Sequence, residues 1–248
     1  MNQGDGGPDT VLGGPRRDFP STCWSRFLAS PGQEADRAQA MEVLASTYWK
    51  PIFAYIRTGW AKSNEDAKDL TQGFFLWMME TGFADRADPR RGRFRAFLKT
   101  SLKNFLAQEE ERRRALKRGG GHSRIPLDEE WTSRLPVREG QDPESRLDEV
   151  WKSELILRAL ALLEEKLRKE DREECFRIFQ DYHLSGSDEA GYRQVAERHG
   201  QTEQDVDNAL RYAKKRLRAI MADLVAETVG SEEDLREEWE LLFGKEGP

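Results

Sequence analysis

The sequence predicts an all-α protein, with two small helical domains joined by a flexible linker. Three observations predict it. Apolar residues recur at three- and four-residue spacing along much of the chain, as in Ala38, Met41, Leu44, Ala45, Tyr48 and Trp49, the period of a helix with one buried face. Alternating stretches rich in Val, Ile and Thr, which would mark half-buried strands, are absent. The stretch RGGGHSRIPLDEEWTSRLPVREGQDPES, rich in Gly, Pro and Ser, divides two blocks of helical pattern.

The elements follow in order. MNQGDGGPDTVLGGPRRDFP carries no apolar core of a signal sequence, so residues 1–33 are expected to be a flexible lead on a cytoplasmic protein. Residues 34–58 read as one helix, kinked or restarted at Pro51 and broken at Gly59. Ser63 followed by Asp66 is a capping-box pattern for a helix over 63–80. Asp88-Pro89 and Gly92 turn the chain into a helix over 93–116. These make a first domain, 34–117. After the linker, 118–145, a second domain covers 146–229. It holds an apolar stripe at Leu147, Val150, Trp151, Leu155 and Leu162, then helices over 171–184, 192–199 and 203–226. An acidic extension, 230–248, sets Trp239, Leu241, Leu242 and Phe243 among acids. It reads as an amphipathic helix packed on the second domain, or as a docking site for a regulator.

Composition narrows the function. Of 248 residues, 35% are charged and 37% hydrophobic, and seven Trp with twelve Phe supply core material, so wholesale disorder is excluded. No apolar run of about eighteen residues exists to span a membrane. Cys23 and Cys175 stand far apart and read as free thiols, and His122, His183 and His199 match no ligand spacing. No metal or other cofactor is expected. No Ser-His-Asp set is visible, and Gly119-Gly120-Gly121 lacks the Lys-Ser/Thr ending of a phosphate loop. A non-enzymatic protein is therefore expected.

The net charge of −6 hides an asymmetry. From Arg86 to Arg124 there are thirteen Lys and Arg against four Asp and Glu, a net of +9. From Gly230 to Pro248 there are seven acids against two bases, a net of −5. A basic block in an acidic protein points to a local polyanion contact. Within it, Phe94, Phe97, Leu98, Ser101, Leu102 and Phe105 form a core stripe. Arg95, Lys99 and Lys103 recur every four residues on a flank, with Thr100 and Asn104 nearby and Arg112, Arg113, Arg114, Lys117 and Arg118 beyond. Such a helix could track a nucleic-acid backbone, or be a solvated basic face offset by Glu109, Glu110 and Glu111.

YRQVAERHGQTEQDVDNALRYAKKRL has the layout of a helix-turn-helix. Ala196 is small, Gly200 supplies the turn, Thr202 caps the second helix, and Val206, Leu210, Ala213 and Leu217 continue the inner stripe. Gln204, Asn208 and Arg211 would then face base edges, and Lys214, Lys215 and Arg218 would meet phosphate. A plain helical hairpin is the other reading. Glu203, Asp205 and Asp207 suit the helix dipole but repel phosphate.

Together these stretches resemble the sigma-70 family of bacterial RNA polymerase specificity factors, over about residues 19–243, and within it the extracytoplasmic-function group. DAKDLTQGFF is similar to the family's DAEDLTQEFF segment. GRFRAFLKTSLKNFL is similar to the segment that melts and reads the −10 promoter element. YRQVAERHGQTEQDVDNALRYAKKRLR is similar to the region that reads the −35 element. FPSTCWS resembles the FPSTHWS lead of one subgroup, with Cys23 in place of His.

The resemblance implies a transcription-initiation subunit whose partners are bacterial core RNA polymerase and promoter DNA, with an anti-sigma factor or a regulatory kinase as further candidates. It implies docking of the helix over 63–80 on a coiled coil of the polymerase, through Asp66, Asp69, Leu70, Gln72, Phe75 and Met79. Ala67, Leu70, Phe74, Trp77 and Met78 would form the other, core-facing side, and burial of both apolar sides of that helix within the domain is the alternative. Lys68 and Gly73 stand where the family has acids, which weakens such docking by ~1 kcal/mol each. Phosphorylation of Thr71 would restore about two negative charges. A stand-alone helix-turn-helix regulator, or a protein-binding scaffold that retains the fold, are the alternative functions.

Overall fold

The structure is a computed structural model that describes residues 34–60, 63–83, 93–115, 135, 140–184, 191–245 and 247. The expected all-α class holds: the described residues form eight helices and no strand. In chain order they are α1 (Glu34–Gly59), α2 (Asn64–Glu80), α3 (Phe94–Ala115), α4 (Pro143–Lys169), α5 (Glu173–His183), α6 (Tyr192–His199), α7 (Glu203–Ala226) and α8 (Glu232–Phe243). The lead over 1–33 and most of the linker lie outside the described residues.

Local chemistry sets the helix starts. Ser63 Oγ accepts from the Asp66 amide at 3.1 Å and caps α2. Asp142 accepts from the Ser145 amide at 2.8 Å, with Pro143 at the first helical position of α4. Ser231 caps α8 through the Asp234 amide at 3.1 Å. Pro51 lies inside α1, which continues through it to Gly59. A Cβ on Gly59 would stand 2.5 Å from the Pro143 ring, so only Gly lets α4 begin against the end of α1.

Two apolar clusters hold the helices. The first gathers Ile52, Phe53 and Ile56 of α1, Phe74, Phe75 and Met78 of α2, and Phe94, Leu98 and Leu102 of α3. It also takes Leu147 and Trp151 of α4, Val225 of α7, and Trp239 and Leu242 of α8. Tyr48 stacks on Trp151 with centroids 4.5 Å apart, and Phe94 leans on both. The second cluster gathers Leu163 and Leu167 of α4, Ile178 and Phe179 of α5, Val195 and Ala196 of α6, and Val206, Leu210 and Ala213 of α7. Leu155 and Met221 pack against both clusters. The start of α4 therefore belongs to the packing of the first cluster, and α8 packs on α7 while placing Trp239 and Leu242 in that cluster. The expected division at 145/146 coincides with no break in packing.

In α2 the unbroken apolar run is explained mainly by burial. Ala67, Leu70, Phe74 and Met78 are buried as expected, and so is Phe75, at 1% exposure. Phe75 and Leu70 are therefore core residues, and of the expected docking residues they are unavailable to a partner. The reason is steric: α1 and α3 flank α2 on two sides, so the buried arc is wide enough to take consecutive positions. Met79 remains 56% exposed. Phe75→Ala is expected to cost about 3–5 kcal/mol and Met79→Ala under about 0.5 kcal/mol, as read by urea denaturation of the full chain.

Candidate nucleic-acid interface

The helix-turn-helix is built as its sequence predicts. Gly200 ends α6 at φ 62°, in the left-handed region. Thr202 and Asp205 form a reciprocal capping box at the start of α7. Val195, Ala196, Val206, Ala209, Leu210 and Ala213 are buried at the crossing. His199 ties α6 to α5, with Nδ1 2.7 Å from Glu174 and Nε2 3.1 Å from Asp181. Near the middle of α7, Tyr212 donates to Glu170 at 2.7 Å, and Arg172 lies over its ring at 4.4 Å. α7 is thus held from both sides by its inner stripe.

The outward side of α7 carries Gln204, Asn208, Arg211, Lys214 and Lys215, all exposed, with Thr202 exposed at its cap. Gln204 Nε2 donates to Asn208 Oδ1 at 3.3 Å. The acids at the start of this helix acquire structural roles. Asp205 closes the capping box, and Asp207 pairs with Arg211 at 2.7 Å. Hydrogen bonds from the Thr202 hydroxyl and amide hold the Asp205 carboxyl below its ordinary 3.8.

The basic flank of α3 is not an open face. Arg95 is 6% exposed. Its Nε and Nη2 donate to Glu238 of α8 at 2.6 and 3.0 Å, and its Nη1 donates to Asp148 of α4. Lys99 donates to Asp148 at 2.8 Å and lies 3.9 Å from Glu144. Lys103 pairs with Glu144. Arg93 lies 3.5 Å from both Glu237 and Glu238. The antiparallel run of α4 beside α3 sets Asp148 and Glu144 against the 95, 99, 103 series in reverse order. Burial alone would push the Arg95 guanidinium down, but the hydrogen bonds and charges of Glu238 and Asp148 outweigh it and hold it raised. Expected to meet nucleic acid, these three cations instead bind the chain's own carboxylates. The neutralising acids lie on α4 and α8, and within α3 Glu109 pairs with Arg112 at 2.8 Å. Arg113 and Arg114 lie in the last turn of α3 with side chains outside the description, and Lys117 and Arg118 lie outside the described residues.

A second face of α3 is open. Between α2 and α3 lies a cleft of about 460 Å³ lined by Trp77, Phe97, Thr100, Ser101, Asn104, Ala107 and Gln108. Its lining is aromatic on one side and neutral polar on the other, without a charged side chain. Trp77 is steadied by Phe74 and Phe105, with centroids at 5.8 and 5.9 Å, and Phe97 by Phe83 at 4.7 Å. Gly73 keeps α2 close to α3 here, since a Cβ would meet the Phe105 ring at 3.3 Å. Sequence reasoning named Asn104 and Thr100 but assigned Trp77 and Phe97 to the core and passed over Gln108. The spacing 97, 100, 101, 104, 108 along one face was the available signal.

On α2 the exposed stripe runs through Asp69 and Met79, with Gln72 and Leu76 half-buried between them. Asp66 is engaged at the cap, accepting from the Ser63 hydroxyl at 2.9 Å. Thr71 is fully buried and its hydroxyl donates to the Ala67 carbonyl at 2.7 Å. Phosphorylation there would require α2 to leave the core, so the kinase expectation at Thr71 is withdrawn. No described helix is long and apolar enough to cross a membrane. Among the described residues no group of His, Cys, Asp and Glu could hold a metal ion.

No protein-family model, curated protein or solved structure matches the chain.

Removing one partner of the buried pair, as in Glu238→Leu, is expected to cost about 3–5 kcal/mol. The double variant Arg95→Leu/Glu238→Leu should recover most of that loss, as read from urea midpoints. Because the Asp205 pKa is lowered on folding, its contribution is present above 3.8 and lost as pH falls through the lower folded value. Asp205→Asn should therefore lose less helicity than the parent between about pH 5 and about pH 2, as followed by circular dichroism.

Proposed function

We propose that the chain is a promoter-specificity factor of the sigma-70 type, of the extracytoplasmic-function group, with no catalytic site of its own. The observation that carries this reading is the helix-turn-helix, whose second helix turns Gln204, Asn208, Arg211 and Lys215 outward at three- and four-residue spacing. An α-helix fits the major groove, where amide side chains pair with adenine and arginine with guanine. Gln204, Asn208 and Arg211 would read base edges, and Lys214 and Lys215 would meet phosphate. Arg211 must first exchange Asp207 for a base or a phosphate, which favours sequences that offer it a bidentate acceptor.

Two further features support the reading. The cleft between α2 and α3 pairs aromatic surface with amide and hydroxyl groups, the combination that holds an unpaired base by stacking and edge hydrogen bonds. The stripe Asp69, Gln72, Leu76 and Met79 on α2 offers one acid and apolar surface, which suits a basic, partly apolar partner helix. In this reading α2 docks on core RNA polymerase, the cleft accepts a base from opened promoter DNA, and α7 holds the duplex upstream.

The internal pairing of Arg95, Lys99 and Lys103 favours a second reading, a stand-alone helix-turn-helix regulator that uses α7 alone. The two differ in what they need. A stand-alone regulator binds its site tightly by itself, whereas a specificity factor needs polymerase. The full chain is expected to co-elute with core RNA polymerase from its native host, and Asp69→Lys/Met79→Ala to lose co-elution while keeping its melting temperature. Failure of the parent chain to co-elute would overturn the polymerase reading, and tight sequence-specific DNA binding by the free protein would replace it.

A further inference from the structure

The seam between α3, α4 and α8 has features that core packing alone does not require. Three cations in a row meet three carboxylates: Arg95 meets Glu238 and Asp148, Lys99 meets Asp148, and Lys103 meets Glu144. The acids come from two elements on the far side of the linker from α3. One of them, α8, belongs to the segment with seven acids and two bases. The α8 helix is anchored by Trp239 and Leu242 in the first cluster and by Lys152 over the Phe243 ring at 5.3 Å. The connection before it supplies the Thr228 carbonyl that accepts from the Phe94 amide at 3.0 Å, satisfying a free donor in the first turn of α3.

The seam is graded. At one end the Arg95–Glu238 pair is buried, with side chains 7% and 1% exposed. At the other, Lys103 and Glu144 are 51% and 42% exposed. Exposed pairs hold weakly and are screened by salt. A buried guanidinium cannot give up its carboxylate without another anion to take its place. A polyanion can therefore enter at Lys103, pass to Lys99, and exchange with Glu238 at Arg95. A neutral ligand has no such path.

We propose that the carboxylates of α8 and of the first turns of α4 stand in for nucleic-acid phosphate, closing the Arg95, Lys99, Lys103 row in the free chain until single-stranded DNA displaces them. The inference rests on the reading that α3 meets DNA. It adds that the free chain is self-inhibited at that helix, and that the C-terminal acidic helix is the inhibitor.

The test is fluorescence anisotropy of a labelled mixed-sequence single strand of about twenty nucleotides, titrated with the full chain at several salt concentrations. Glu144→Gln/Asp148→Asn/Glu238→Gln should bind at least about tenfold more tightly than the parent, with a salt slope steeper by about 2, the value for three freed cations. Because Glu238 is buried, Glu144→Gln/Asp148→Asn serves as the second variant. It leaves the Arg95–Glu238 pair in place and should show an intermediate gain, with a slope steeper by about 1.4 for two freed lysines. Circular dichroism checks that each is folded. Adding Lys99→Gln/Lys103→Gln to the second variant should abolish its gain. Equal affinity and slope for the folded parent and folded variants would overturn the inhibition while leaving DNA binding intact. A gain that survives loss of both lysines would also overturn it, by assigning the effect to overall charge. No binding by any chain would instead overturn the reading of α3 as a DNA surface, and the inhibition with it.

Discussion

The arrangement of this chain turns on the cost of burying the Arg95 guanidinium. A charge removed from water must find fixed partners, and none of them lies on α3 itself. Asp148 comes from α4 and Glu238 from α8, so satisfying one side chain fixes the approach of two helices distant in sequence. Phe94, one residue earlier, is fixed in the same way by the Thr228 carbonyl and by the rings of Tyr48 and Trp151. The start of α3 is thus the point where the first cluster, the long helix and the acidic end of the chain converge. Apolar burial supplies most of the stabilisation there. The ion pairs determine which helices meet, and in what register.

The same constraint separates two kinds of surface on α3. The flank with the highest positive charge is committed internally, and the face with no charge is open as a cleft. A reading from charge alone therefore chooses the occupied side. What remains outward on α2 and α7 is modest in charge: Asp69 with Met79 on one, and a mixed row of amides and bases on the other. Such surfaces discriminate through geometry more than through field strength.

Much of the local structure was legible in the sequence. Helix period, the caps at Ser63 and Thr202, and the turn at Gly200 are set by neighbours within a few residues, and each is found where its residues predict. The helix-turn-helix interior followed for the same reason, since Ala196, Val206 and Leu210 declare their face by spacing. What could not be read was set by partners far along the chain. Phe75 looked outward because one apolar stripe is enough for a helix with one neighbour, and α2 has two. The Lys99 and Lys103 flank looked available because their partners lie more than forty positions away. The acidic end packs on α7 of the second domain, as expected, but its sequence did not show that Trp239 and Leu242 would also enter the first cluster beside Val225. Trp77 and Phe97 were taken as core, and both do pack against the first cluster, but only the gap between α2 and α3 shows that they also line a cleft.

α4 has a consequence of a different kind. It is one unbroken helix from Pro143 to Lys169, anchored by Leu147 in the first cluster and by Leu167 in the second. At ~1.5 Å per residue these anchors stand roughly 30 Å apart, and the helix acts as a strut of set length between them. Leu155 and Met221 pack against both clusters and brace the strut between its anchors. A binding partner that required a different separation would have to prise Trp151 off Tyr48 before it could change the span, so the ring stack is the latch on the molecule's reach.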